Sequence, residues 1–249
     1  MMSVELPFNT GIVSHMETRL LRALGILGGM GPLATVDFLQ KLIEETPAER
    51  DQDHIPVIAW SVPQIPDRPA AITGTGESPL PHMLAGMYTL KRAGATTVAI
   101  ACNTAHYWHD ELLQAGLPIL HIADAACAAV ADKPYRRIGL LATNGTIAAG
   151  FYQARMSARG VVCVLPDEAT QRELVLPAIE HVKRAEIAQA NALATRAAIH
   201  LLDSGAEAII MGCTEIPLAI EHSASNVTPL CIDATRALAR ACVTWWQNG

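Results

Sequence analysis

Two cysteines stand where thiols can do chemistry. Cys102 lies in "ACNTAH" (101–106) and Cys213 in "GCTEIP" (212–217), each eight residues after a glycine, Gly94 or Gly205. Both close a short apolar run and precede a helical pattern. A thiol at such a junction faces the unsatisfied N–H groups of a helix start, whose positive dipole end is expected to lower its pKa and make it a usable base. Two thiols on opposite sides of one carbon can invert it. One removes a proton from a stereocentre and the other supplies a proton to the opposite face, with no cofactor required. A cysteine taken singly is more simply a small buried hydrophobe, and that reading is adopted for Cys127, Cys163, Cys231 and Cys242. Cys102 and Cys213 are set apart by their polar neighbours Asn103, Thr104, Thr214 and Glu215, which are uncommon in a core.

The elements that position these residues follow from periodicity. Apolar runs rich in Ile, Val and Leu recur at 22–28, 55–62, 96–102, 118–122, 136–143, 161–164, 206–212 and 228–232, and each reads as a buried strand. Helical patterns lie between most of them, at 33–46, 80–93, 105–115, 124–132, 147–159, 168–203 with an interruption near Pro177, and 234–247. Continuous apolar strands alternating with helices predict parallel sheets flanked by helices in an α/β fold. The chain also repeats itself. "GILGGMGP" (25–32) matches "GLLATNGT" (139–146) at a shift of 114, and "GATTVAIACNT" (94–104) matches "GAEAIIMGCTE" (205–215) at a shift of 111. Two copies predict two pseudo-symmetric domains, 21–133 and 134–249, with a seam near "ADKPYRR" (131–137), an extension at 1–20, and a last helix able to pack back on the first domain. Ligands of open α/β sheets bind beyond the carboxyl ends of strands, so both thiols are expected in one interdomain cleft.

Composition narrows the partners. The 249 residues carry 18 basic and 24 acidic side chains, a net charge of −6, and no Lys/Arg run that would track a phosphate backbone, so no nucleic-acid partner is expected. No apolar stretch reaches membrane-spanning length and "MMSVELPFNTGIVSHMETRL" has no signal-peptide pattern, so the expectation is a cytoplasmic protein with reduced thiols and no membrane partner. None of the six cysteines forms a CxxC pair or has zinc-type spacing to histidine, so no metal is expected. The glycine turn in "GILGGMGP" lacks G-x-G-x-x-G spacing, and no acidic residue follows "AWSV" to bind a ribose, which disfavours a dinucleotide site.

Several ordered motifs, "GILGGMGPLAT" (25–35), "SVPQIPDR" (61–68), "ACNTAH", "GLLATNGT" and "GCTEIPL" (212–218), resemble the aspartate/glutamate racemase family, closest to its aspartate racemase branch. The resemblance runs from about residue 22 to the C-terminus. It implies a cofactor-independent racemase, commonly a homodimer, whose acid and base are Cys102 and Cys213 and whose substrate is a small dicarboxylic amino acid. It also implies that Arg68 in "IPDRP" and Lys183 in "EHVKRAE" hold the substrate's side-chain carboxylate, with Arg184 an alternative to Lys183.

Deprotonating an amino acid at Cα loads charge onto an anionic group and requires placed donors. Asn103, Thr104 and Thr214 are candidates for the α-carboxylate, with helix N-capping as the ordinary role of the threonines. Met30, Thr143 and Thr146 are placed to line the cleft from equivalent turns. Glu215 can orient an amine or a thiol, or simply favour a helix start. His106 and His109 can tune Cys102 or serve the fold. A maleate-isomerase-like or arylmalonate-decarboxylase-like cysteine enzyme, and a non-catalytic amino-acid-binding protein, remain alternatives on the same scaffold.

Overall fold

The apolar run near the start of the pattern folds as β1 (Leu24–Gly28), five buried residues that form the second strand of a parallel sheet. The computed structural model describes residues 22–220 and 226–248; the expectation of an extension at 1–20 lies outside them. After β1 the chain turns at Gly29, whose φ is +89 and where a Cβ would stand 2.3 Å from the Val62 nitrogen, so only glycine fits. Helix α1 (Pro32–Glu45) follows, with proline in its first turn. Next come β2 (Val57–Ser61), α2 (Arg68–Ile72), α3 (Leu80–Arg92), β3 (Thr97–Ile100), β4 (Ile119–Leu120) and α4 (Ile122–Ala128).

The second half repeats the plan with β5 (Arg137–Leu141), α5 (Asn144–Ala149), α6 (Phe151–Ser157), β6 (Val162–Val164), α7 (Leu176–Lys183), α8 (Ile187–Asp203), β7 (Ala208–Met211), α9 (Glu215–Ile220), β8 (Cys231–Asp233) and α10 (Ala234–Gln247). The sheets are ordered β2-β1-β3-β4 and β6-β5-β7-β8, all pairs parallel, with Ile26 between Ala59 and Ala99 in one and Gly139 between Val164 and Ile209 in the other. The expected α/β class, with two parallel sheets flanked by helices, is therefore the observed one.

One apolar core draws on both sheets. Leu24, Ile26 and Ala99 of the first share it with Ile138, Leu140 and Ile210 of the second, along with Phe38, Ala126, Tyr152 and Leu238 from the intervening helices. Helix α10 packs against α1 and α4 of the first half. Its N-cap Asp233 meets the buried Lys41 ammonium at 2.6 Å, and Asp37 meets the same ammonium at 2.9 Å.

Three expectations are corrected. The strand at 55–62 is not buried: four of the five β2 residues are exposed, because β2 is the outer strand with one edge unpaired. The pattern at 168–203 does not break at Pro177, which sits in the first turn of α7 after a π-helical turn at Gln171–Val175. The break falls at 184–186, where Ala185 takes φ 60. The helix expected at 105–115 is a series of short turns, 3-10 at Thr104–Trp108 and α-helical at His109–Leu112, closed by Gly116 at φ 72. Among the described residues no helix is long and apolar enough to cross a membrane.

Candidate active site

The shared sheet order puts β3 and β7 in equivalent places, and the two cysteines emerge from their carboxyl ends. Both side chains are buried at 5% exposure, and the Cys213 thiol feels the charge of a Cys102 thiolate, which puts the two in one locality. Glu215 of the second half also reaches the first: a Cβ on Gly31 would stand 3.3 Å from its Oε1. The start of α5 closes against Pro69 and Thr104 in the same way, since a Cβ on Gly145 would stand 2.8 Å from the Pro69 Cα.

The expected depression of the thiol pKa values is not found. Burial raises both, because a thiolate out of water loses more hydration than a helix start returns. Cys102 also precedes a 3-10 turn rather than an α-helix, which weakens the dipole it meets. Their surroundings then separate them. The Arg68 guanidinium beside Cys102 works against burial and favours its thiolate. Cys213 is pushed well above the ordinary thiol range by burial together with the Glu215 carboxylate, whose Oε2 accepts a hydrogen bond from its Sγ at 3.0 Å. Thr214 donates to the same Oε2 at 3.1 Å. Arg68 thus opposes the rise at Cys102, and Glu215 adds to the rise at Cys213.

Asn103 and Thr104 follow Cys102 and are buried, with 2% and 4% exposure. The Thr104 hydroxyl meets those of Thr143 and Thr146 at 2.9 Å each, and Thr143 donates to Thr146 at 3.1 Å, forming a hydroxyl cluster across the two halves. Thr143, expected only to line a cleft, caps α5 by accepting from the Thr146 N–H at 3.1 Å. Thr104 makes no cap: Asn103 holds the cap position of its 3-10 turn, and the Thr104 hydroxyl is engaged by Thr143 and Thr146 of the second half. Arg68 opens α2, where Asp67 caps the helix by accepting from the Ala70 N–H. Its Nη1 donates to the carbonyls of Ile65 and Pro66 at 3.0 and 3.1 Å, while Nε is buried without a partner. Lys183, the last residue of α7, donates to Glu180 at 2.8 Å. Burial opposes its charge, but Glu180, Glu215 and Cys213 together hold its pKa above the ordinary value, which places it within electrostatic reach of the second thiol. Arg184 turns instead to Glu186. Met30 is buried at the turn after β1.

Comparison with known proteins now bears on this arrangement. The family model for Asp/Glu/Hydantoin racemase matches residues 27–242, nearly the whole α/β pair. The chain belongs to that family. It is 27% identical to the broad specificity amino-acid racemase RacX of Bacillus subtilis, over 89% of this chain and 96% of that protein. Among solved structures, the aspartate racemase of Picrophilus torridus superposes with a TM-score of 0.81 at 31% identity, covering 91% of this chain and 94% of the other. Glutamate racemase of Francisella tularensis, at 16% identity and a TM-score of 0.68, shares the fold.

Around this candidate site, Tyr152 and Gln171, which motif reasoning passed over, also make contacts, and the two candidate histidines can be placed. Tyr152, fully buried on α6, donates from its hydroxyl to the Asn103 Oδ1 at 2.5 Å. His106 accepts the Ile122 N–H at Nε2, which leaves Nδ1 to donate to the Cys102 carbonyl at 2.9 Å. Burial lowers its pKa to about 4, so it is a neutral brace behind the cysteine rather than a charge that tunes it. His109 pairs with Asp110 and is not in contact with Cys102 by hydrogen bond. Gln171, at the π-helical turn, donates to the Ala142 carbonyl and the Asn144 side chain, and its Oε1 is left unpartnered. The "ACNTAH" motif already contained the signal for His106, four residues after Cys102; Tyr152 and Gln171 carried none, because their partners lie 49 and 27 to 29 residues away.

Proposed function

We propose that this chain is a cofactor-independent amino-acid racemase that interconverts L- and D-aspartate, with glutamate within its range, by a two-base mechanism. The observation that carries the reading is the pair of buried thiols at equivalent strand ends, one beside a guanidinium and the other hydrogen-bonded to a carboxylate. A 31% identical aspartate racemase with the same fold over nine-tenths of both chains supports the choice of substrate.

In this reading the Cys102 thiolate takes the Cα proton, forming its S–H bond as the C–H electron pair moves into the α-carboxylate. The Cys213 thiol gives its proton to the opposite face and becomes the thiolate. The antipode is processed with the roles exchanged. Arg68 favours the starting thiolate and Glu215 the starting thiol. The orphaned Asn103 Nδ2 faces the charge that develops on the α-carboxylate, and Thr104 and Thr214 border it. A second carboxylate would satisfy the unpartnered Arg68 Nε and draw the Lys183 ammonium from Glu180. One methylene of side-chain length separates the acidic substrates, a difference worth about 1–3 kcal/mol in such a pocket. The homodimer implied by the resemblance belongs to the same proposal and is read by analytical ultracentrifugation.

Incubation with L-aspartate in deuterium oxide tests the reaction. The expected result is deuterium at Cα with accumulating D-aspartate, and loss of at least a thousandfold in rate in both Cys102→Ala and Cys213→Ala, on the order of what removing an essential acid or base costs. No Cα exchange with any dicarboxylic amino acid would sink the proposal. Racemisation retained by either alanine variant would remove the two-thiol mechanism.

A further inference from the structure

Tyr152 joins the two cysteine strands without belonging to either. Its side chain is fully buried in the core shared by the two sheets, and its hydroxyl donates to Oδ1 of Asn103, the residue after Cys102. Its ring edge lies against Gly212, the residue before Cys213, where a Cβ would stand 3.4 Å from Cε2. Burial raises the phenol pKa well above its usual value, so the group remains an O–H donor at neutral pH. Asn103 is 2% exposed and its Nδ2 has no partner.

We propose that Tyr152 is a positioning residue that fixes the direction of the Asn103 amide, so that both Nδ2 hydrogens are presented to an anionic group in the cleft. The inference rests on the racemase reading for the identity of that group, the substrate α-carboxylate. A primary amide has nearly the same shape after a half-turn about its last bond, so packing alone does not choose between its oxygen and its nitrogen. A buried phenol does choose, because its hydrogen must go to the oxygen. Without that hydrogen the amide can turn its oxygen toward the carboxylate, replacing a donor by a repelling lone pair. The loss should be felt most as charge builds up after proton removal, when a preorganised donor is worth most.

The test is a cycle of Tyr152→Phe, Asn103→Ala and the double variant, read by steady-state kinetics with L-aspartate and by calorimetric binding of malonate. Tyr152→Phe is expected to lower kcat about tenfold to a hundredfold with KM changed less than about threefold, and to have no further effect once Asn103 is alanine. It should also weaken malonate binding in the parent background alone, with the circular dichroism spectrum unchanged. Multiplicative effects in the double variant, or a Tyr152→Phe protein as active as the parent, would overturn the inference while leaving racemisation intact. A parent that binds malonate with the Tyr152–Asn103 coupling, yet exchanges no Cα proton, would overturn the racemase reading alone. A parent that does neither would overturn both.

Discussion

At the scale of single residues, the two thiols differ because of what faces them rather than where they sit in the repeat. Cys213 donates to Glu215, and the carboxylate adds its charge to the effect of burial. Glu215→Gln keeps a hydrogen-bond acceptor but removes that charge. The thiol should therefore ionise at lower pH, and inactivation by iodoacetamide, followed at Cys213 by peptide mass spectrometry, should rise at lower pH than in the parent. An unchanged profile would mean that burial alone sets the acidity. Arg68 acts in the opposite sense on Cys102, so Arg68→Met should move the alkylation of Cys102 to higher pH.

Among the elements, α10 ties the two halves together, since it lies on α1 and α4 while following β8, the last strand of the second sheet. Lys41 on α1 is buried between Asp37, one turn earlier, and Asp233, the α10 cap. Burial pushes the Asp37 carboxyl up despite the ammonium beside it, and the two carboxylates hold Lys41 above its ordinary value against burial of its own. Such a cluster penalises removal of one member far more than its presence stabilises the fold. Lys41→Ala should cost about 3–5 kcal/mol in urea unfolding by stranding two carboxylates. Arg240→Ala, which loses an exposed pair with Glu45 on the same helix–helix contact, should cost about 1 kcal/mol or less. Similar losses from the two variants would contradict the placement of the cation in the interior.

For the whole molecule, pH acts through one buried imidazole, His106, and one half-buried one, His121. His106 is neutral in the fold with a pKa lowered by burial to about 4, from an ordinary value of 6.5, and burial lowers neighbouring His121 further, to about 2. Between those limits the unfolded chain binds the proton and the folded chain refuses it. The stabilisation is complete above pH 6.5 and is lost as pH falls toward 4, and His106 alone accounts for about 3 kcal/mol of that decline. His106→Gln should show a shallower fall in unfolding free energy over the same interval, measured by urea titration at each pH. Parallel curves would remove His106 as the cause.

The α/β class, the internal repeat and the equivalent places of Cys102 and Cys213 after matching strands were legible in the amino-acid sequence, because apolar periodicity and repeated turns are local properties that a linear chain carries intact. Thr104, Thr143 and Thr146 were singled out separately, as carboxylate or cleft residues and not as a hydroxyl cluster, because their mutual contacts join residues 39 and 42 positions apart. The exposure of β2 depended on its place at the sheet edge, which no run of apolar residues states. The rise in both thiol pKa values, the opposite influences of Arg68 and Glu215, and the Tyr152 hydroxyl on Asn103 were decided only by tertiary structure. Desolvation and charge depend on distances through space, and those distances exist only once the two halves close around a common core.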